Sequence, residues 1–160
     1  MTSPLDPAQV AILPACAEDL PGILAVLETA NMHHIPSPEM PEFDLACAFV
    51  AKAGDRVLGV AGYRLLSPGR AKTTLLAVLP EVRGLGLGLL LQERRMDALV
   101  DLGVATLTTN ADRPETIAWY ERHFGYRKVG ELKKLHAFGR EDIDHWTTLQ
   151  TDLTRWRKGL

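Results

Sequence analysis

The residues best suited to chemistry form an arginine-led glycine run: Arg83, Gly84, Leu85, Gly86, Leu87 and Gly88, followed by Leu89. Glycines there allow the backbone to come close to a ligand. With a strand before it and a helix after it, such a turn aims the helix's first N–H groups forward. Those donors and the helix dipole favour an anion. Arg83 adds a planar charged fork that suits phosphate. A P-loop needs a lysine followed by serine or threonine directly after its last glycine, and none follows here. A dinucleotide fingerprint needs a third glycine where this chain has Leu89 or Leu91, and it belongs after an opening strand rather than in mid-chain. An Arg-x-x-Gly-x-Gly pattern is met by Arg83, Gly86 and Gly88. The plain alternative is a tight strand-to-helix turn, against which the leading arginine and the flanking elements weigh.

Other reactive side chains are scattered. His33 and His34 lack a third ligand at metal-binding spacing, so no metal is expected. Cys16 and Cys47 are the only cysteines; they make no disulfide framework and read as small buried side chains. The pairs Arg94–Arg95 and Lys133–Lys134 read as solvated faces of a helix and a strand.

The elements that must position the turn follow from patterning. Residues 10–13 read as a first strand closed by Pro14. Asp19 or a neighbour caps a helix with Pro21 in its first turn and Ile23, Val26, Leu27 and Ala30 on its apolar face. Residues 31–44 carry three prolines (Pro36, Pro38 and Pro41) and read as a long functional loop. Residues 45–52 and 56–66 form a hairpin around Gly54, and a strand over 72–78 ends at Pro80. A helix over about 86–102 stops at Gly103, with Leu89, Met96, Leu99 and Val100 on one face. A strand over 104–109, a helix over 114–123 with Asp112 near its start and Gly125 past its end, and strands over 127–135 and 146–153 complete the chain. This order implies one α/β domain over 1–160, with a mixed, mostly antiparallel central sheet flanked by helices.

Bulk properties narrow the function classes. The net charge of −2 supplies no basic field, so no nucleic-acid partner is expected. No apolar run reaches the roughly 20 residues of a membrane helix, and residues 1–7 show no signal-peptide pattern. No membrane partner and a cytoplasmic location are the expectations.

Two segments together resemble the GNAT acetyltransferase superfamily. Residues 78–88 (Val-Leu-Pro-Glu-Val-Arg-Gly-Leu-Gly-Leu-Gly) are similar to its cofactor motif. Residues 116–126 (Thr-Ile-Ala-Trp-Tyr-Glu-Arg-His-Phe-Gly-Tyr) are similar to its second signature. The resemblance implies acetyl-CoA as acyl donor. The strand residues Leu76, Ala77 and Val78 would run beside the pantetheine arm. The N–H groups from Arg83 through Gly84, Leu85, Gly86, Leu87, Gly88 and Leu89 would hold the pyrophosphate. Asn110 would face the pantetheine or the acyl group. Tyr120 would protonate the departing thiolate as general acid. Plain alternatives remain: a packed aromatic for Tyr120 and a turn cap for Asn110.

The chain departs from the family in two places. No acidic residue lies on 73–78, where many relatives carry a glutamate base, and Leu85 stands where a basic residue is common. The base is unassigned, with His33, His34, Glu42, Asp44, Asp144 and His145 as candidates by chemistry. The acceptor would sit between residues 31–44 and 136–145, whose acidic residues suit an amine; simple solubility explains them equally well. Trp146 lines this region or packs in the core. The reading is an N-acetyltransferase acting by direct attack of a primary amine, from a small molecule or an exposed amino group, on acetyl-CoA. A homodimer is the family's common assembly. The alternatives are a non-catalytic acyl-CoA-binding sensor or assembly module, and a nucleotide-binding α/β domain unrelated to acyl transfer.

Overall fold

The computed structural model describes residues 9–30, 44–134, 140 and 142–157. Its elements, in chain order, are β1 (Ala11–Pro14), α1 (Leu20–Thr29), β2 (Ala48–Ala53), β3 (Arg56–Ser67), β4 (Arg70–Val78), α2 (Leu87–Asp101), β5 (Thr106–Ala111), α3 (Pro114–Phe124), β6 (Arg127–Lys133), β7 (His145–Asp152) and the short α4 (Leu153–Arg157). The strands form one sheet in the order β1-β2-β3-β4-β5-β7-β6. All neighbours are antiparallel except β4 and β5. The expected mixed, mostly antiparallel α/β sheet is therefore present.

Each face of the sheet buries an apolar stripe. Ile23, Val26 and Leu27 of α1 pack on Val50, Val57, Val60, Leu75 and Ala77. On the other face Leu87, Leu91, Met96 and Leu99 of α2 join Leu58, Ala61, Ala71, Leu107 and Leu149, together with Tyr120, Phe124 and Tyr126. Each of the Val, Leu, Ile, Met and Phe side chains contributes roughly 1.5–3 kcal/mol on leaving water, and the alanines less.

Several local expectations need correction. Asp19 occupies the N-cap position of α1, but its side chain makes no capping bond; its carboxylate accepts the Cys16 N–H at 3.0 Å and pairs with Lys52 at 2.8 Å. Cys16 is exposed rather than buried, and Cys47 is half-buried. The buried stripe of α2 runs through Leu87, Leu91, Gln92, Arg95, Met96 and Leu99, while Leu89 and Val100 are only half-buried. Arg95 is thus not on a solvated face: it is fully buried, whereas its neighbour Arg94 is exposed above the Phe49 ring. The Lys134 side chain is likewise only 5% exposed.

Two irregularities shape the centre of the sheet. In the β3–β4 pair, Gly62 faces Leu75 and Tyr63 faces Thr73, so Thr74 is an extra, unpaired residue. This bulge reverses the side-chain alternation: Ala71 faces α2, but Leu75 and Ala77 face α1. A side chain at Gly62 would collide with the Thr74 hydroxyl, so the bulge needs glycine there. In the parallel pair, β4 and β5 match only at Arg70–Thr106, Ala71–Leu107 and Lys72–Thr108. A bond between the Thr73 and Thr109 hydroxyls closes the joined end. Beyond it both strands continue without pairing to each other.

Candidate active site

The parting of β4 from β5 opens a cavity of about 600 Å³ through the sheet. Thr29, Ala30 and Lys72 line it from the α1 face, and Thr116, Trp119 and Tyr120 of α3 line it from the other. Strand residues 73–78 and 109–111 form its walls, with Arg83, Gly88, Asp112, Arg113, Glu115 and Trp146 at its margins.

The glycine turn meets this cavity at the start of α2. Gly84 and Gly86 have φ of +90° and +79°, a region that side chains with a Cβ avoid. Gly86 is the helix N-cap, and the Leu90 N–H donates to its carbonyl at 3.2 Å. The N–H groups of Leu87, Gly88 and Leu89 therefore have no acceptor within the helix. The Arg83 N–H, expected among the phosphate donors, instead donates to Pro80 O at 3.3 Å, so only the Arg83 side chain remains available. A Cβ at Gly88 would meet nothing within 4 Å. Of the turn's residues, Arg83 and Gly88 line the cavity, whereas the Leu85, Leu87 and Leu89 side chains pack into the core. Leu76, Ala77 and Val78 line the cavity along β4.

Tyr120 is presented by α3, a helix begun by Pro114 and ended by Gly125 in the left-handed conformation. Its ring is 4% exposed, held edge-on by Trp119 at 4.9 Å and by Tyr126 at 5.0 Å between centroids. It is both a packed aromatic and part of the cavity wall. Tyr126 is committed to the core instead, accepting from Gln92 Nε2 at 3.1 Å; burial pushes its phenol well above the usual range.

Gln92 links this aromatic pair to the bulge. Its Oε1 accepts from Arg95 Nε at 3.0 Å and also from Nη2. Arg95 Nη1 donates to Gly62 O at 2.9 Å and Leu75 O at 2.8 Å, the residues beside Thr74. A buried guanidinium thus satisfies the carbonyls where the ladder is interrupted.

Polar side chains crowd the other end. The Thr148 hydroxyl donates to Asn110 Oδ1 at 2.7 Å, which fixes that side chain on the cavity wall. Asp112 accepts from Lys134 Nζ at 3.0 Å and from the Arg140 N–H at 2.6 Å. Burial alone would raise the Asp112 carboxyl, but the Arg140 N–H and the Lys134 ammonium hold it below the usual carboxylate range. Lys134 also lies over the Trp146 ring, 4.5 Å from its centroid. Trp146 is both buried, at 7% exposure, and a lining residue.

The base candidates fare differently. His33, His34 and Glu42 lie outside the described residues, as do most of the two segments expected to flank an acceptor. Asp44 accepts from the Ala46 N–H in a 3-10 turn, and Asp144 pairs with His145 at 3.2 Å; none of these three lines the cavity. The carboxylates that do are Asp112, expected only as a residue near a helix start, and Glu115. Lys72 also lines it, and strand alternation conceals that placement in the sequence. Among the described residues no cluster of three or more His, Cys, Asp or Glu side chains could hold a metal, and no helix is long and apolar enough to cross a membrane.

Comparison with known proteins agrees with this geometry. No curated protein matches the sequence significantly. Solved structures share the fold. Ard1 from Thermoplasma volcanium superposes with a TM-score of 0.74 at 14% identity, covering 90% of this chain and 97% of that one. The ribosomal-protein-S18-alanine N-acetyltransferase from Escherichia coli gives 0.71 at 20%, covering 90% and 94%. N-acetylglutamate synthase from Neisseria gonorrhoeae, complexed with coenzyme A and N-acetyl-glutamate, gives 0.68 at 19%, covering 90% of this chain and 35% of that one. The profile of the acetyltransferase (GNAT) family matches residues 20–126, spanning the parted strands, the glycine turn and Tyr120, and the chain belongs to that family.

Proposed function

We propose that this chain is an acetyl-CoA-dependent N-acetyltransferase that acetylates a primary amine by direct attack. The observation that carries the reading is the cavity itself. It joins an anion-ready helix start at Gly88 to a tyrosine on α3, along a strand edge left unpaired. The site suits coenzyme A on three counts. The first-turn N–H groups from Leu87 to Leu89 and the Arg83 guanidinium fit a pyrophosphate. The empty space at Gly88 leaves room for it. The free edge of β4 over Leu76, Ala77 and Val78 fits the amides of a pantetheine arm as an added strand would.

Bound acetyl-CoA would supply a thioester carbonyl and a thiolate leaving group. Tyr120 would hold a proton at its Oη for the departing sulfur, its ring fixed by Trp119 and Tyr126. Asn110 would line the path of the acyl group. No covalent enzyme adduct is needed, and neither Cys16 nor Cys47 lines the cavity. Asp112 is a poor proton acceptor because its ion pair favours the charged form. We further propose that residues 1–160 form a single domain, since β1, β6 and β7, outside the matched region, complete the same sheet.

One observation favours the alternative of an acyl-CoA-binding sensor or assembly module: no acidic residue lies on 73–78. Calorimetric titration with acetyl-CoA, with NAD and ATP as controls, followed by a CoA-release assay over a panel of amines, separates the readings. Binding with release supports the enzyme. Binding without release for any amine supports the sensor. No acetyl-CoA binding by folded protein refutes both.

A further inference from the structure

The α1 face of the cavity carries a cation that the transfer chemistry above does not use. Lys72 is half-buried where β4 and β5 part, lines the cavity, and has no ion-pair partner among the described residues. Its face follows from register. Ala71 and Leu107 point into the α2 core and the Thr73 and Thr109 hydroxyls meet, so Lys72 and its partner Thr108 point the other way. Asn110, two residues beyond Thr108, shares that face, and Trp146 lies two residues from Asn110's partner Thr148 on the same side of β7. Asn110 and Trp146, diagonal across the antiparallel β5–β7 pair, are about 7–8 Å apart, and Lys72 stands across the β4–β5 parting from Asn110 on the same face.

All three side chains can donate. The Asn110 carbonyl oxygen is occupied by Thr148, which turns its amide N–H groups to other partners. Trp146 Nε1 is buried with no hydrogen-bond partner among the described residues. An indole nitrogen can only donate, and an orphaned buried donor is rare and unfavourable. The other charges at the cavity are accounted for. Arg83 lies at the glycine turn, Asp112 is compensated by Lys134, and Arg113 and Glu115 oppose each other in sign at the start of α3. Among the described residues Lys72 remains without an opposing charge, on the face that also carries two neutral N–H donors, which matches a monoanion with two acceptor oxygens.

We propose that the acceptor amine carries a carboxylate, and that Lys72, with Asn110 and Trp146 on the same face of the sheet, holds that carboxylate on the α1 face of the cavity. This rests on the acetyltransferase reading above. Burial and the like charge of Arg64 on the adjacent strand both disfavour the Lys72 ammonium, so an incoming anion relieves an existing cost.

The test uses the twenty common L-amino acids, each beside its α-carboxamide, with acetyl-CoA as donor and CoA release as readout. Acetyl-CoA affinity is measured separately by calorimetry. The acid member of at least one pair should be the better substrate, with a KM lower by about ten- to a hundredfold, the worth of one charged hydrogen bond. Lys72→Met should raise the KM for the acid by that factor and leave its amide partner nearly unmoved. Lys72→Arg should recover part of the loss. Normal acetyl-CoA affinity in Lys72→Met shows that the donor site is intact. Equal or better use of the amide in every pair, with acetyl-CoA bound normally, overturns the carboxylate proposal and spares the acetyltransferase. An equal rise in KM for acid and amide also overturns it, since Lys72 would then be shaping the cavity without reading charge. Failure to bind acetyl-CoA removes the underlying reading instead.

Discussion

Gly88→Ala separates the structural and ligand-binding roles of the glycine turn. The same change at Gly84 or Gly86 confounds them, because both have positive φ and a side chain there is strained whatever the ligand does. Gly88 has no such constraint. It is the second residue of α2, and its added Cβ would meet no heavy atom within 4 Å. Alanine should therefore stabilise the free protein, because glycine is the poorer helix former by about 0.5–1 kcal/mol. In a chain of this size that raises Tm by about 1–4 °C. With a pyrophosphate seated on the first-turn N–H groups, the methyl would occupy the space the phosphate needs. Losing one charged hydrogen bond costs about 1.5–3 kcal/mol, or ten- to a hundredfold in Kd. Thermal unfolding without ligand and calorimetric titration with acetyl-CoA measure the two effects independently. The expected result is a higher Tm with a weaker Kd. An unchanged Kd with a raised Tm would refute the assignment of this helix start to the pyrophosphate. A lowered Tm would refute the account of the turn itself.

Three further outcomes follow from the same geometry. Tyr120→Phe should lower kcat by about a hundredfold or more while leaving acetyl-CoA Kd within about twofold, as expected for loss of a general acid whose ring still packs; equal turnover in steady-state assays removes the role. Arg95→Met should destabilise by about 3–5 kcal/mol, because it leaves the Gly62 and Leu75 carbonyls and Gln92 Oε1 without their charged donor; a loss below about 1 kcal/mol in urea unfolding would show that the bulge holds itself. Asp112→Asn should lower Tm at pH 7 by at least about 2–4 °C, since about 1 kcal/mol is the upper end for an exposed pair and these side chains are only 10% and 5% exposed. The Asp112 carboxyl is depressed in the folded state, so its contribution is present above its ordinary value of 3.8 and is lost as pH falls below it. The gap between parent and variant should close in that acid range, and a gap that persists there refutes the ion-pair assignment.

Much of this molecule was legible in the sequence because its signals are local. The left-handed glycines of the turn, the proline opening α3 and the glycine closing it act within a few residues, and the element order followed from them. Burial of single polar residues was not legible in this way. Arg94 and Arg95 are chemically alike and adjacent, yet one is exposed and the other has no solvent contact. The difference is one of angle around α2: Arg95 falls in line with Leu91 and Leu99, a stripe that polar residues disguise. Lys134 is hidden for a similar reason, since its partner Asp112 lies 22 residues away and only the sheet brings them together.

The bulge at Thr74 shows how far one non-local feature governs the site. Nothing in the run from Lys72 to Val78 marks Thr74 as unpaired; the mark is Gly62, on another strand, where a side chain would strike the Thr74 hydroxyl. The bulge decides which side chains of β4 face α1 and which face α2. Before it, Lys72 points to the α1 face and Thr73 to the other; after it, Leu75 and Ala77 turn toward α1. A regular strand would exchange those faces, sending Leu75 and Ala77 into the α2 core and leaving α1 without its floor. Arg95 bonds to the carbonyls of Gly62 and Leu75, the strand pair next to the interruption, and Gln92 continues the link to Tyr126, whose ring steadies Tyr120. The strand edge proposed to meet the cofactor and the tyrosine proposed to protonate its sulfur are thus tied to one buried network. A weakened Arg95 should therefore disturb cofactor affinity and turnover together, whereas loss of the Tyr120 hydroxyl alone should disturb only turnover.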